Sequence, residues 1–162
     1  NMSVASLNKR YWMNTILKTI CTPKESYEVA IVEDNKLMNL VLSKELDSSI
    51  TELRIMKDFP IKLSSFYKGI DFLSYLKNRE EGKSKLIVFS DFHLEEEMNG
   101  AEILKQVKQK DQNSTVVIMS DTKNRQTSVD TIKLGAHCFL SKNNRTPFIC
   151  SLLLFQFIHN AS

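Results

Sequence analysis

The chain has 162 residues, 42% of them hydrophobic and 25% charged, which is enough to bury a core in one domain. Its net charge of +3, with no Lys/Arg-rich run, argues against a nucleic-acid surface, and its most apolar tract (148–158) is too short to cross a bilayer. Cys21, Cys138 and Cys150 match no paired metal spacing and read as reduced thiols of a cytoplasmic protein.

Residues 1–26 come first and read as an N-terminal helical extension, set apart from the domain at 27–162. Met13, Ile16, Leu17 and Ile20 form a helical stripe there, with Trp12 beside it. Five short apolar runs then read as strands, over 27–33, 61–66, 85–91, 114–120 and 136–142. Four are continuous, the pattern of strands covered on both faces, whereas "IKLSSF" at 61–66 alternates and suits a sheet edge.

Helical patterns follow each strand in turn. They are marked by Leu37, Leu40, Val41 and Leu46, then by Ile70, Phe72, Leu73 and Leu76. Ala101, Ile103, Leu104 and Val107 come next, then Val129, Ile132 and Leu134, and Phe148, Leu152 and Phe155 close the chain. Ser49 and Glu52 suggest a capping box for a short extra helix ahead of Pro60, within a lengthened connection at 48–60. This alternation predicts a doubly wound, five-stranded parallel sheet with helices on both faces. Right-handed crossovers bring all the C-terminal strand ends to one edge, where such folds bind ligands.

The strand ends carry the chemistry. Glu33 and Asp34 follow the first strand, Asp91 ends the third, Ser120 and Asp121 follow from the fourth, and Lys142 ends the fifth. Three carboxylates gathered at one edge repel unless a cation joins them, and an oxygen-only set suits Mg²⁺. Lys142 and the Ser120 hydroxyl supply a cation and a donor opposite the metal, the equipment for holding a phosphoryl group. Singly, each residue has a plainer reading. Asp34 or Ser120 caps the next helix, Asp91 is a solvated loop acid, and Lys142 is one surface lysine among many.

The motifs "AIVEDN" (30–35), "IVFSDFHL" (87–94), "MNGAEILKQVK" (98–108), "VVIMSD" (116–121) and "KLGAHCFLSK" (133–142) together resemble the receiver domain of two-component response regulators. The likeness is to a chemotaxis-type, stand-alone receiver, and it implies a flavodoxin-like sheet of order 2-1-3-4-5. It implies that Asp91 accepts a phosphoryl group from a histidine kinase or phosphotransfer protein. Glu33, Asp34, Asp91 and the main-chain carbonyl of His93 then hold Mg²⁺. Ser120 and Lys142 contact the phosphoryl group, and Phe139 is the aromatic switch. Such a protein is not a classical enzyme, although it catalyses its own aspartyl phosphorylation and dephosphorylation. Its output is a downstream protein target met on the strand-four to helix-five face, with no nucleic acid or membrane involved. Two local features depart from the family pattern: "LEEEMNG" is one residue longer than usual, and Asn143 replaces the usual proline after Lys142.

Two other readings compete. An aspartyl-phosphate hydrolase needs a second acid two residues after the nucleophile, where this chain has His93. A receiver-like interaction module that works without phosphorylation has no need of five chemical side chains. Finally, the last helical run is apolar all round, and a helix of that kind is covered in most proteins. The pattern leaves Ile149, Leu153 or Ile158 to be covered by residues 1–20, from the same chain or across a homodimer.

Overall fold

The computed structural model describes residues 25–57, 59–94, 98–122 and 124–159. The expected N-terminal helix with its stripe at Met13 to Ile20 lies outside the described residues, as does the acidic run at 95–97.

Strand and helix alternate throughout the described chain: β1 (Tyr27–Val32), α1 (Lys36–Lys57), β2 (Ile61–Phe66), α2 (Gly69–Asn78), β3 (Lys85–Asp91), α3 (Gly100–Lys110), β4 (Thr115–Ser120), α4 (Arg125–Lys133), β5 (Cys138–Ser141) and α5 (Thr146–His159). All pairings are parallel, and the sheet order is β2-β1-β3-β4-β5, the flavodoxin-like order that the receiver resemblance implies. Every strand except the β2 edge and the short β5 is buried almost from end to end.

Side chains alternate across a strand, so each core strand feeds two cores. Val29, Ile31, Phe89, Val117 and Met119 face α1 and α5, together with Leu42, Leu46, Cys150 and Leu154. Ala30, Val32, Val88, Val116 and Ile118 face the other layer, with Phe72, Ile103 and Leu104 from α2 and α3. Among the described residues no helix is long and apolar enough to cross a membrane.

Several expectations need correction. The region after β1 is one continuous helix of 22 residues, not a helix followed by a short extra one. Leu42, Leu46, Ile50 and Leu53 form an unbroken buried stripe through it. Ser49 sits inside this helix, where its Oγ donates to the Glu45 carbonyl (3.1 Å) and shares a hydrogen bond with Ser151 Oγ on α5 (2.6 Å). A serine so occupied caps nothing.

The phase of α1 also differs, because Leu37, Leu40 and Val41 face solvent. Ile70, Val129, Ile132 and Leu134 are exposed as well. On α5, Cys150, Leu154 and Ile158 are buried, Ile149 and Leu153 are half-buried, and Phe148 and Leu152 are the apolar side chains left outside.

Candidate functional site

Strand register assembles the site. Val32 lies beside Ser90 and Asp91 beside Met119, while Ser120 lies beside Ser141. The residues that end or follow β1, β3, β4 and β5 therefore emerge at one edge. Main-chain bonds continue the ladders past the strands: Glu33 N donates to the Phe66 carbonyl (3.0 Å), Phe92 N to the Met119 carbonyl (2.7 Å) and Lys142 N to the Ser120 carbonyl (2.8 Å).

Carboxylate oxygens of Glu33, Asp34 and Asp91 all lie within 4.8 Å of one another. Lys142 joins two of them, with Nζ 2.7 Å from Glu33 Oε2 and 2.7 Å from Asp91 Oδ2. Burial outweighs the ammonium's pull on Glu33 and holds its carboxyl above the usual range. For Lys142 the balance tips the other way. Burial works against the charge, but the bonds to Asp91 and Glu33 prevail and raise its pKa. A negative cluster is thus bound to one internal cation.

The plainer readings of these residues fail on geometry. Asn35, not Asp34, caps α1, its Oδ1 accepting from Met38 N at 3.0 Å. Asn124, not Ser120, caps α4, accepting from Gln126 N and Thr127 N. Asn99 caps α3 in the same way. Asparagines therefore take the capping work at these three helices. Asp91 is buried rather than a solvated loop acid, and Lys142 is no free surface lysine.

The loop after Asp91 folds back over the strand end. His93 N donates to Asp91 Oδ1 (3.2 Å), His93 bridges to Asn99, and Gly100 N donates to the Phe92 carbonyl (2.9 Å). A Cβ on Gly100 would meet the Asp91 carbonyl oxygen at 2.6 Å and Phe92 Cα at 2.8 Å. Only glycine lets the chain pass this close.

Glu33, Asp34, Asp91, His93, Asp121 and Lys142 line one open cavity of about 520 Å³. Ser120 stands apart, turned to Thr122: its Oγ accepts from Thr122 N (3.1 Å) and lies 2.8 Å from Thr122 Oγ1. Phe139 is half-buried on the neighbouring strand and packs edge-on against Phe92, with ring centroids 6.3 Å apart.

Two positions in and behind the site escaped the sequence reading. Thr122 Oγ1 links Ser120 to the His93 ring, whose Nε2 is 3.4 Å away. Asn39 is buried and donates from Nδ2 to the Glu33 carbonyl (2.9 Å) and the Phe66 carbonyl (3.2 Å), fixing the end of β1. No local pattern marks it, since it is one amide among the apolar residues that open α1.

A larger cleft, about 810 Å³, lies at the opposite end of the sheet between Glu25, Glu81, Lys83, Lys85 and Lys110. Each of its lysines is already paired, with Glu80, Glu25 and Glu81 respectively. It offers no unspent charge comparable to the carboxylate cluster.

The fold agrees with that of known proteins. The family profile of the response regulator receiver domain matches residues 29–153. A comparison with curated proteins gives no match. Among solved structures, the phosphorylated cyanobacterial phytochrome response regulator RcpA is 19% identical with a TM-score of 0.65, covering 85% of this chain and 96% of its own. A response regulator receiver domain protein from Clostridium thermocellum is 14% identical with a TM-score of 0.67, covering 83% and 96%. The Mn²⁺-bound form of response regulator Rcp1 is 20% identical with a TM-score of 0.61, covering 80% and 92%. At such identities the likeness establishes the fold.

Proposed function

Because this chain belongs to the response regulator receiver domain family, whose members are generally phosphorylated on aspartate in two-component signalling, we propose that Asp91 is its phosphoacceptor. The observation that carries the reading is the Lys142 ammonium 2.7 Å from Asp91, beside two further carboxylates at the strand ends.

The donor set fits Mg²⁺. The three carboxylates form an oxygen-only set within 4.8 Å of one another, the donor chemistry that a hard divalent cation takes. Glu33, Asp34, Asp91 and the His93 main-chain carbonyl would hold the ion, which when bound neutralises charge on the phosphoryl oxygens.

The chain's own residues do the rest. An Asp91 oxygen attacks phosphorus on a phosphohistidine of a kinase or phosphotransfer protein. The O–P bond forms as the N–P bond breaks, and the electron pair stays on the imidazole, which takes up a proton. Lys142 then pairs with the phosphoryl group instead of the free carboxylate. The Ser120 hydroxyl turns from Thr122 to donate to it. Water later attacks phosphorus and returns Asp91 with inorganic phosphate.

Repositioning Ser120 changes the packing of Phe139 against Phe92. That reshapes the face made by β4, α4, β5 and α5, which the downstream protein reads. Val129, Ile132 and Leu134, all exposed on or just after α4, suit a protein contact. A cytoplasmic setting, with Cys138 and Cys150 reduced, goes with this reading.

The test is intact mass after incubation with acetyl phosphate. One phosphoryl group is expected with Mg²⁺ and none with EDTA. Steady turnover of a generic phosphate ester would instead favour a hydrolase. No uptake under any divalent ion would favour an interaction module.

A further inference from the structure

The layer formed by α1 and α5 has an apolar outer face with nothing described over it. Phe148 and Leu152, one turn apart on α5, are 57% and 52% exposed, and at the last turns of α1 Ile55 and Met56 are 81% and 65% exposed. The Ser49–Ser151 bond sets the two helices side by side and fixes their levels. Counting from that bond, Phe148 lies level with Leu46, so that Ile55 is nine residues, about 14 Å, further down. The exposed side chains thus mark the two ends of a strip about one short helix long.

The route into the domain ends beside this strip. Tyr27 N donates to the Pro60 carbonyl (2.9 Å), and the Tyr27 and Phe59 rings touch, with centroids 5.8 Å apart. The start of β1 is therefore pinned to the corner that follows α1, close to Ile55 and Met56. Whatever precedes Glu25 is tethered there.

The chemistry of that preceding segment is complementary to the strip. Residues 1–24 hold four basic side chains, Lys9, Arg10, Lys18 and Lys24, and no acidic one, so all 19 acidic residues fall in 25–162. Glu45 and Glu52 lie on α1 within one turn of Ser49, on the α5 side by helical spacing. Met13, Ile16, Leu17 and Ile20 fall at i, i+3, i+4 and i+7. A helix over residues 11–20 would be about 15 Å long. Its length matches the strip.

We propose that residues 11–20 fold back on their own chain and cover the outer face of α1 and α5, with Ile20 toward Ile55 and Trp12 toward Phe148. The connection at 21–24 spans the tether, and the basic residues meet Glu45 and Glu52. The proposal stands apart from the phosphorylation reading, since it uses none of the residues at the strand ends.

Trp12 is the single tryptophan of the chain, so its fluorescence reports on this segment alone. In the unmodified 162-residue chain its emission should be blue-shifted and protected from iodide, at all protein concentrations. The double variant F148E/L152E, which changes two exposed side chains, should shift the emission to the red and remove the protection while far-UV circular dichroism keeps the strand and helix signal of the domain. A water-exposed Trp12 in the unmodified chain would overturn the proposal. So would protection that persists in F148E/L152E, protection that appears only as concentration rises with dimer formation, or protection that requires anionic vesicles.

Discussion

Replacing Lys142 by methionine tests how the site is held together. The change keeps the length of the side chain and removes its charge. The three groups involved are almost wholly enclosed, with side chains 8% (Lys142), 0% (Glu33) and 6% (Asp91) exposed. Taking one partner from such a buried pair leaves uncompensated charge and costs about 3–5 kcal/mol. Here two carboxylates lose the same ammonium, which favours the upper part of that range. With a urea slope of about 2 kcal/mol per molar, the unfolding midpoint should fall by roughly 2 M in metal-free buffer at pH 7.

The loss should also depend on pH in a definite direction. Glu33 is already held above its ordinary value of 4.5 by burial, and losing Lys142 raises it further. An acid raised in the folded state contributes stability that is complete below its unfolded pKa and is lost as pH rises through the folded one. The deficit of K142M should therefore be smaller at pH 5 than at pH 8. Equal midpoints for the two proteins, or a deficit that widens on acidification, would refute the buried-cation account.

Three further outcomes follow from the geometry. Gly100→Ala should cost about 1–3 kcal/mol in urea unfolding, because the new methyl collides with backbone rather than a yielding side chain; an unchanged midpoint would mean the loop has room the structure denies. Asp34→Ala should weaken Mg²⁺ binding in a direct titration, and K142M should strengthen it by freeing Glu33, whereas parallel changes in both would place the ion elsewhere. Burial pushes the Cys150 thiol up to about 12 and also raises Cys138, so site-resolved alkylation at pH 8 should leave Cys150 unmodified until the domain unfolds.

The strands were legible because their signal is local, whereas their order rested on the family resemblance, since no local feature says which strand lies beside which. Continuous Val/Ile/Leu runs ending in acid, hydroxyl or lysine need no knowledge of distant contacts. The course of α1 was not legible. Ser48 and Ser49 look like a helix boundary, and only the bond from Ser49 to Ser151, 102 residues away, shows why a serine is stable there. Its phase was obscured for a different reason. Apolar residues at 37, 38, 40, 41 and 42 surround the first turns, so spacing alone admits more than one face, and burial selects the one through Leu42. On α5 the same ambiguity runs the whole length of the helix. Asn39 was passed over because a buried amide among apolar neighbours gains its meaning from the carbonyls of Glu33 and Phe66, one of them on another strand.

The central claim is that one particular carboxylate carries the phosphoryl group. Borohydride reduces an aspartyl phosphate to homoserine, which marks the acceptor within its peptide. After treatment with acetyl phosphate and Mg²⁺, the account predicts homoserine at position 91 alone, and none in Asp91→Asn. Homoserine at position 34 or 121 in the unmodified chain, with Asp91 intact, would contradict it.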